Sequence, residues 1–334
     1  SVLEGDRYRE QELMLERSIR WFGKAGQDRA LGEKGLALAL AQRADAWHEA
    51  GRSLMQEWFD ALKVQATLDQ LKEQHTLIKQ LRSIAELRVK AGDGARLELM
   101  QADTELRRAA ALIEQAEQQV YQALTSLSTT YPGIPTPQLA QVPDPRPMQL
   151  RRPDQLTRIL DDNHELELAQ VEGQWYGLKA KRAASERMPD PTIALRAGRE
   201  RAGQERTIGI SVSIALPGGA RNAESSAAYI RAQMANERVA QVKTKVALAA
   251  QRAVTEQEYN YQVWTSLRAV EQQSANQAHL MELGYRANEY TLAEALLSRR
   301  LALEASLASQ LARIAAVAAS ARVQLDAHAM WAID

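Results

Sequence analysis

The chain contains no cysteine, and only two of its 334 residues are phenylalanine. The lack of cysteine excludes disulfides, thiolate metal sites and cysteine nucleophiles, and it fits an oxidising compartment without requiring one. The 42 basic and 42 acidic side chains cancel, so no net charge favours binding to nucleic acid or to an anionic surface. We therefore expect neither thiol chemistry nor a nucleic-acid partner.

Long apolar runs and signs of catalysis are also lacking. No run approaches the roughly 18 to 20 apolar residues of a membrane-spanning helix, so any membrane crossing is expected to use strands. The sequence has neither a phosphate-binding glycine loop nor a GxSxG motif. No two histidines have the four-residue spacing of a helical metal site; they are His48, His75, His164, His279 and His328. We expect no enzyme, no metal centre and no cofactor.

What the chain does contain is helix-forming sequence. Alanine and leucine supply most of a hydrophobic fraction of 45%, which favours long, closely packed helices. The stretch between Gly26 and Gly92 has no proline and predicts one helix of about 65 residues, roughly 100 Å long. A returning helix is predicted over Leu97–Leu127, before a proline-rich segment from Tyr131 to Met148. A further helix is predicted from Arg152 to about Arg187.

Residues 207–216 differ from this pattern, because apolar and small or hydroxyl side chains alternate strictly, as in a strand. The apolar face would carry Ile208, Ile210, Val212, Ile214 and Leu216. The run Thr192–Ala197 would pair with this strand through a hairpin tip within 198–206, and Glu10–Trp21 predicts a weaker strand. Roughly ten residues is the length of a tilted strand that crosses an outer membrane. We expect the aliphatic face to contact lipid; a hairpin packed on a soluble helical domain is the alternative.

The second half of the chain repeats the first at an offset of about 195 residues. Ser18–Gly23 corresponds to Ser213–Gly218, and the turn at Ala91–Asp93 corresponds to Ala287–Glu289. We interpret this as a duplicated unit of strands and a helical hairpin. The predicted organisation is a first repeat unit over 1–130, a proline-rich connector over 131–152 and a second repeat unit over 153–334. The first unit lacks a helix and a strand by this comparison, so we expect sequence upstream of residue 1.

These motifs, in this order, resemble the TolC-like outer-membrane factor family, and within it the CzcC-like heavy-metal efflux branch. The segments that carry the resemblance are SIRWFGKAGQDR (18–29), RVKAGDGARLELMQADTELRRA (88–109), DDNHELELAQVEGQWYGLKAKRA (161–183), PDPTIALRAG (189–198), LPGGARNA (216–223) and LGYRANEYTLAEALLSRRLALEA (283–305). His164 stands where the family often has proline, and Asn288 where its second turn often has glycine. Asparagine also tolerates the left-handed backbone conformation.

The resemblance implies a mainly α-helical fold with a small β part, in a homotrimeric duct. Each full subunit would give four strands to one closed β-barrel and its helices to an α-helical barrel, so that no strand edge is left in lipid. The implied place is the outer membrane of a Gram-negative bacterium, with a periplasmic membrane-fusion adaptor and an inner-membrane RND-type pump as partners. The implied function is passive conduction of heavy-metal cations. Export of proteins or drugs, and a soluble coiled-coil scaffold, are the alternatives.

The resemblance also places the two helical turns, near residues 92 and 288, at the periplasmic mouth. The candidate adaptor contacts are Arg88, Lys90, Gly92, Asp93, Arg96, Asn288, Glu289 and Tyr290. The candidate channel-entrance residues are Glu98, Tyr285, Arg286 and Glu294. Threefold repetition of Glu98 and Glu294 would form rings of carboxylates, which favour cations. Turns that are merely polar and exposed are the alternative.

Overall fold

The computed structural model describes residues 11–92, 94–200, 205–216 and 218–330. Its elements in chain order are β1 Gln11–Ser18, α1 Lys24–Lys90, α2 Arg96–Thr130, α3 Arg152–Asp161, α4 His164–Ser185, β2 Thr192–Glu200, β3 Glu205–Ser213, α5 Gly219–Arg286 and α6 Leu292–Asp326. A short 3-10 helix covers Leu139–Gln141 in the proline-rich connector. The prediction of a mainly α-helical chain with a small β part is confirmed.

The two long helical hairpins have nearly equal dimensions. Helices α1 and α2 contain 67 and 35 residues, and α5 and α6 contain 68 and 35. None of the four contains a proline, so the intrahelical hydrogen bonds can continue without interruption. Because the lengths match, the left-handed residue of the first turn, Gly92, has Asn288 as its counterpart in the second.

The single helix predicted from Arg152 to Arg187 is wrong, since the chain forms α3 and α4 instead. Helix α3 ends at Asp161, and the backbone of Asp162 (φ −116°, ψ 37°) leaves the helical conformation. Asn163 then directly precedes α4, and asparagine is among the preferred N-cap residues. Glu165 lies in the first turn of α4, where a negative charge interacts favourably with the helix dipole. The break thus falls at Asp162 and Asn163, which have lower helix propensity than the leucines and glutamates around them.

The predicted strand over 207–216 is displaced toward the hairpin tip. Strand β3 begins at Glu205 and ends at Ser213, and β2 extends to Glu200. The last paired residues are Thr192 and Ser213. Because Pro191 precedes Thr192 and has no N–H to donate, the ladder stops there and leaves Ile214 and Leu216 beyond the strand.

The expectation that no helix could span a membrane is wrong for α6 by length and composition. Helix α6 is the one helix among the described residues that is long and apolar enough to do so. One such helix is weak evidence of a membrane span, because core helices of soluble proteins meet the same criterion. The apolar composition of α6 reflects many alanines, and its buried residues include Leu292, Ile314 and Val323.

The chain forms two compact units. Unit 1 takes the described residues up to Asp45 together with His164–Val246, and unit 2 takes Ala46–Asn163 together with the described residues from Ala247 on. The units do not coincide with the sequence repeats, since each unit takes part of both. In unit 1 the helices pack through small residues, namely Ala41, Ala169, Gly173, Ala232 and Ala235.

Unit 2 has three buried apolar clusters. One joins α3 to α5 and α6 through Ile159, Val254 and Val323. A second joins the connector to α1 and α6 through residues that include Leu62, Val142 and Ile314. The third lies at the helical turns. The connector is therefore packed against the helices rather than free of them.

A buried carboxylate secures the C-terminal end of α6 in unit 2. Asp326 is 4% exposed, and its two oxygens accept hydrogen bonds from Arg52 Nε at 2.9 Å and from Arg322 Nε at 2.7 Å. His48 lies beside this pair. Burial, and next the charge of Arg52, lower the pKa of His48 to about 4. His48 is thus neutral at pH 7, and the buried charges that remain are those of the Asp326 ion pairs.

Candidate functional site

The three strands form one antiparallel sheet in the order β1-β2-β3. Residues directly opposite one another across antiparallel strands share a face of the sheet. On one face the pairing forms three rows, Leu13–Ala197–Ile208, Leu15–Leu195–Ile210 and Arg17–Ile193–Val212. These three rows are apolar except for Arg17.

The apolar face is exposed. Ile210, in the middle row, is 76% exposed, and the other predicted lipid-facing residues are exposed as well; they are Ile208, Val212, Ile214 and Leu216. Leu13 and Leu15 of β1 add to the same surface. None of these side chains belongs to a buried cluster of the described residues. The sheet therefore presents a continuous apolar surface that the described part of the chain leaves uncovered.

The opposite face of the sheet is polar or small. By register it carries Met14 and, from β3, Glu205, Thr207, Gly209, Ser211 and Ser213. Glu12 of β1 forms an ion pair on this face with Arg196 of β2. A sheet that is apolar on one side and hydrophilic on the other is suited to separating lipid from water.

Charged residues attach the sheet to the helices of unit 1. Lys24, at the start of α1, is 1% exposed and has its Nζ atom 2.8 Å from Asp190 Oδ1 and 3.3 Å from Glu186 Oε2. Asp190 also accepts a hydrogen bond from the Trp21 N–H at 2.8 Å. The contact with Lys24, followed by that with Trp21, lowers the pKa of Asp190. The ionised Asp190 thus links the chain leaving β1 to the chain entering β2.

In unit 2 the two helical turns lie side by side. Arg88 of the first turn donates from Nη2 to Asn288 Oδ1 of the second at 2.7 Å, and its guanidinium carbon lies 5.3 Å from the centroid of the Tyr285 ring. Tyr285 is only 2% exposed and belongs to the third buried cluster, with Leu81 and Leu292 among its other members. The cation–π contact and the hydrogen bond together hold the two turns in register.

Both turns use a left-handed residue at the equivalent position. Gly92 has φ 80° and Asn288 has φ 63°, which confirms that asparagine takes the left-handed conformation in the second turn. In the second turn Glu289 N donates to Gly284 O and Asn288 N donates to Tyr285 O, so the end of α5 has the hydrogen bonds of a Schellman motif. Asp93, a predicted site residue, lies outside the described residues.

A glycine allows close approach in each turn, at non-equivalent positions. A Cβ atom on Gly284 would lie 2.3 Å from the ring of Tyr290, and one on Gly94 would lie 2.8 Å from Val89 N. A side chain at either position would therefore collide with its neighbours. No local sequence pattern signals these two contacts, and the sequence analysis missed them.

Glu294 has a structural role within its own turn. Thr291 is the N-cap of α6, and its hydroxyl accepts from Glu294 N while Glu294 Oε2 accepts from Thr291 N at 2.8 Å. These reciprocal bonds form a capping box. The backbone bond from Thr291, followed by the bond from its hydroxyl, lowers the pKa of Glu294. The T-x-x-E spacing could have revealed this motif from the sequence, but it was overlooked.

The first turn lacks the equivalent box. Glu98 occupies the third position of α2, as Glu294 does in α6, but the residue at the N-cap is Ala95, which makes no side-chain cap. Within the described residues the Glu98 carboxylate has no hydrogen bond or ion pair. The two candidate entrance carboxylates thus differ, since one is held by its own turn and the other is not.

The remaining predicted residues lie on the surface of the turns. Lys90 Nζ is 2.8 Å from Glu86 Oε1, and Arg286 Nη2 is 2.5 Å from Glu282 Oε1, so both pair with their own helices. The other exposed predicted residues are Arg96, Glu289 and Tyr290. The structure brings the predicted residues of both turns to one end of unit 2, and their roles in docking and gating stay predictions.

Thr291→Ala is expected to lower the free energy of unfolding by about 1 kcal/mol, because the Glu294 N–H loses the Thr291 hydroxyl that accepts from it. Ala95→Thr is the matched variant. The extended backbone of Ala95 (φ −73°, ψ 130°) suits an N-cap, so threonine there should complete a box with Glu98 and raise stability. Denaturant unfolding of both proteins in detergent tests this. If neither variant changes the free energy of unfolding, or if both change it in the same direction, the caps do not contribute to stability.

No protein-family model matches the sequence, and no curated protein matches it at a significant level. Solved structures do match the fold. The CmeC outer membrane channel of Campylobacter jejuni is similar with a TM-score of 0.82 and 15% identity, covering 95% of this chain and 70% of that chain. The outer membrane protein VceC of Vibrio cholerae is similar with a TM-score of 0.74 and 15% identity, covering 95% of this chain and 78% of that chain. The open state of the Neisseria gonorrhoeae MtrE outer membrane channel is similar with a TM-score of 0.74 and 15% identity, covering 96% of this chain and 79% of that chain.

These similarities establish the fold. The TM-score of 0.82 over 95% of the chain shows that the chain shares the fold of an outer membrane channel. The fold is therefore that of the TolC-like outer-membrane channels.

Proposed function

We propose that the chain is a subunit of an outer-membrane efflux channel, which passively conducts cargo from a periplasmic adaptor and an inner-membrane pump to the exterior of a Gram-negative cell. The observation that carries the proposal is the exposed aliphatic face of the sheet, with Ile210 at its centre. A surface of this size and composition is costly in water and is matched by the hydrocarbon core of a bilayer. The polar face opposite it supports a water-filled lumen.

The sheet edges support assembly with further copies. Among the described residues β1 and β3 each pair with β2 alone, so the outer edge of each exposes unpaired N–H and C=O groups. In hydrocarbon such groups cost several kcal/mol each, about the cost of an unmade hydrogen bond. Closure of the sheet with two other copies of the chain would pair these edges. A homotrimer whose barrel is shared between subunits meets this need.

The turn end of unit 2 supports docking of the adaptor. A groove of about 500 Å³ lies between α1, α2 and α6 beside the first turn. Its exposed apolar residues include Leu97, Met100 and Leu297. Arg96, a polar candidate contact, directly precedes Leu97 of this groove. An adaptor helix or loop with apolar side chains and a polar rim would be complementary to this surface.

For the cargo, we propose heavy-metal cations delivered by an RND-type pump, in line with the resemblance to the CzcC-like branch. Glu98 and Glu294 place carboxylates at equivalent positions of the two turns. In a trimer they would form two rings of negative charge that attract cations and repel anions. Conduction requires that these rings bind cations weakly, so that the ions can leave.

Conductance of the full-length protein in planar lipid bilayers tests the proposal. Wild type is expected to give stepwise currents and block by multivalent cations, and Glu294→Gln is expected to weaken that block, because glutamine keeps the capping box and removes the charge. Thr291→Ala is the matched control, since it removes the hydroxyl from the box and keeps the charge of Glu294. A protein that stays soluble without detergent and gives no currents would overturn the channel function, while unchanged block in Glu294→Gln would overturn the role of Glu294.

The cargo is tested in a strain that lacks the protein. Greater sensitivity to heavy-metal salts, reversed by the wild-type protein and not by a protein disabled in the sheet, is the expected result. Sensitivity confined to organic toxins would contradict the metal cargo and indicate drug export. Loss of a secreted protein from the medium would indicate protein export instead.

A further inference from the structure

A polar row closes the apolar face of the sheet at its hairpin end. By register Gln11 of β1 pairs with Arg199 of β2, and Arg199 pairs with Arg206 of β3. The next row toward the helices is Leu13–Ala197–Ile208, so the two arginines lie on the same face as the aliphatic side chains. The sequence analysis missed this row because the two arginines lay inside the stretch interpreted as a hairpin tip.

Arg199 and Arg206 are directly opposite each other in register, an arrangement in which like charges repel and destabilise the sheet. Both side chains are exposed, and within the described residues neither has a hydrogen bond or an ion pair. The neighbouring acid Glu205 belongs to the opposite face by register. The contrast with Arg196 is clear, since that arginine is paired with Glu12 on the polar face. Among the described residues, the Arg199–Arg206 pair thus lacks a counter-ion on its own side of the sheet.

The position of the row matches the boundary of a bilayer. Seven residues separate Arg206 from Ser213, the end of β3, which at about 3.3 Å per residue is roughly 23 Å of strand. A strand tilt of about 45° reduces this to about 16 Å along the bilayer normal, which fits within the apolar height of about 25 Å of an outer-membrane barrel. The exposed Ile214 and Leu216 follow the strand and add apolar surface at the end away from the arginines. The helices of unit 1 adjoin the opposite end of the sheet. If they face the periplasm, Arg199 and Arg206 lie at the outer leaflet.

We propose that Arg199 and Arg206 together bind a phosphate group of a lipid headgroup in the outer leaflet, the phosphorylated lipid A. The proposal rests on the channel function, which places this face in the membrane. Two guanidinium forks can surround one phosphate with paired, charge-assisted hydrogen bonds, and the anion removes the repulsion between them. The Gln11 amide in the same row can add a further donor.

Lipid binding to the full-length protein tests the proposal. The protein is titrated in non-ionic detergent with diphosphoryl lipid A, and bound lipid is counted by native mass spectrometry. Arg206→Glu is the test variant, because it turns the like-charge pair into an opposite-charge pair that should leave the sheet folded. We expect it to weaken lipid A binding by about tenfold or more, the effect of losing a charge-assisted hydrogen bond.

Arg196→Gln is the matched control, because it removes a positive charge from the same strand on the opposite face. It is expected to bind lipid A as the wild type does. Dephosphorylated lipid A should bind wild type as weakly as diphosphoryl lipid A binds Arg206→Glu. Equal binding of diphosphoryl lipid A by wild type and Arg206→Glu would overturn the proposal. Displacement of the lipid by inorganic phosphate at equal concentration would overturn the assignment to a lipid-borne phosphate.

Failure of this inference is distinguishable from failure of the channel function. A wild-type protein that conducts in bilayers but does not discriminate between the phosphorylated and dephosphorylated lipids would retain the channel function and refute the arginine site. A wild-type protein that does not enter bilayers at all would refute the channel function first.

Discussion

Asp326→Ala is expected to lower the free energy of unfolding by about 3 kcal/mol, the cost of removing one partner from a buried ion pair. Asp326 is nearly inaccessible and accepts from both Arg52 and Arg322. Arg52 is itself mostly buried, and after the substitution it keeps only Glu49, which is exposed, as a partner. The end of α6 would then lose its polar attachment to α1 and leave a charge poorly compensated in the interior.

Denaturant unfolding of the detergent-solubilised protein measures this effect. Asp69→Ala is the matched control, because Asp69 is an exposed aspartate on α1 in the same unit, and its loss is expected to change stability by less than about 0.5 kcal/mol. Asp326→Asn should lose an amount of stability between those of Asp326→Ala and Asp69→Ala, since the amide keeps one acceptor oxygen. If Asp326→Ala unfolds at the same denaturant concentration as Asp69→Ala, the ion pairs do not stabilise the end of α6.

This attachment illustrates what the sequence does not reveal. Asp326 and Arg52 are 274 residues apart, and nothing near either residue indicates the other as its partner. Helix propensity and the absence of proline are local properties, so α1, α2, α5 and α6 could be predicted to within a few residues at most ends. The turn residues could also be predicted, because the duplication repeats them at a constant separation. Pairs that form only in the folded chain could not.

The ends of the strands and the pairing between them also depend on contacts that the local sequence does not reveal. The alternation in 207–216 predicts a strand correctly, but its end at Ser213 depends on Pro191, which directly precedes a different strand. The alternation also assigns faces within one strand and cannot place Arg199 opposite Arg206, because that pairing depends on the register between strands. Burial of Tyr285 was likewise not predictable from its position in a polar turn. In each case the missing information is a contact between distant residues.

Ile210→Arg is expected to prevent stable insertion of the sheet into the membrane. Ile210 lies in the middle row of the apolar face, near the centre of the span between Arg206 and Leu216. An arginine on the lipid face of a barrel costs about 2–4 kcal/mol at the bilayer midplane. In a trimer the cost would be incurred three times per barrel. We therefore expect the variant to be depleted from the membrane fraction and to give no conductance.

Ser211→Arg is the matched control, because it introduces the same side chain one residue away on the polar face. If that face lines a water-filled lumen, the arginine remains hydrated, and the protein should insert normally with a conductance altered by the added charge. The membrane-inserted fraction of the two variants, measured by sedimentation and by resistance to alkaline extraction, separates the faces. Equal insertion of Ile210→Arg and Ser211→Arg would mean that the aliphatic face does not contact hydrocarbon, and the exposed surface of the sheet would then require a protein partner instead.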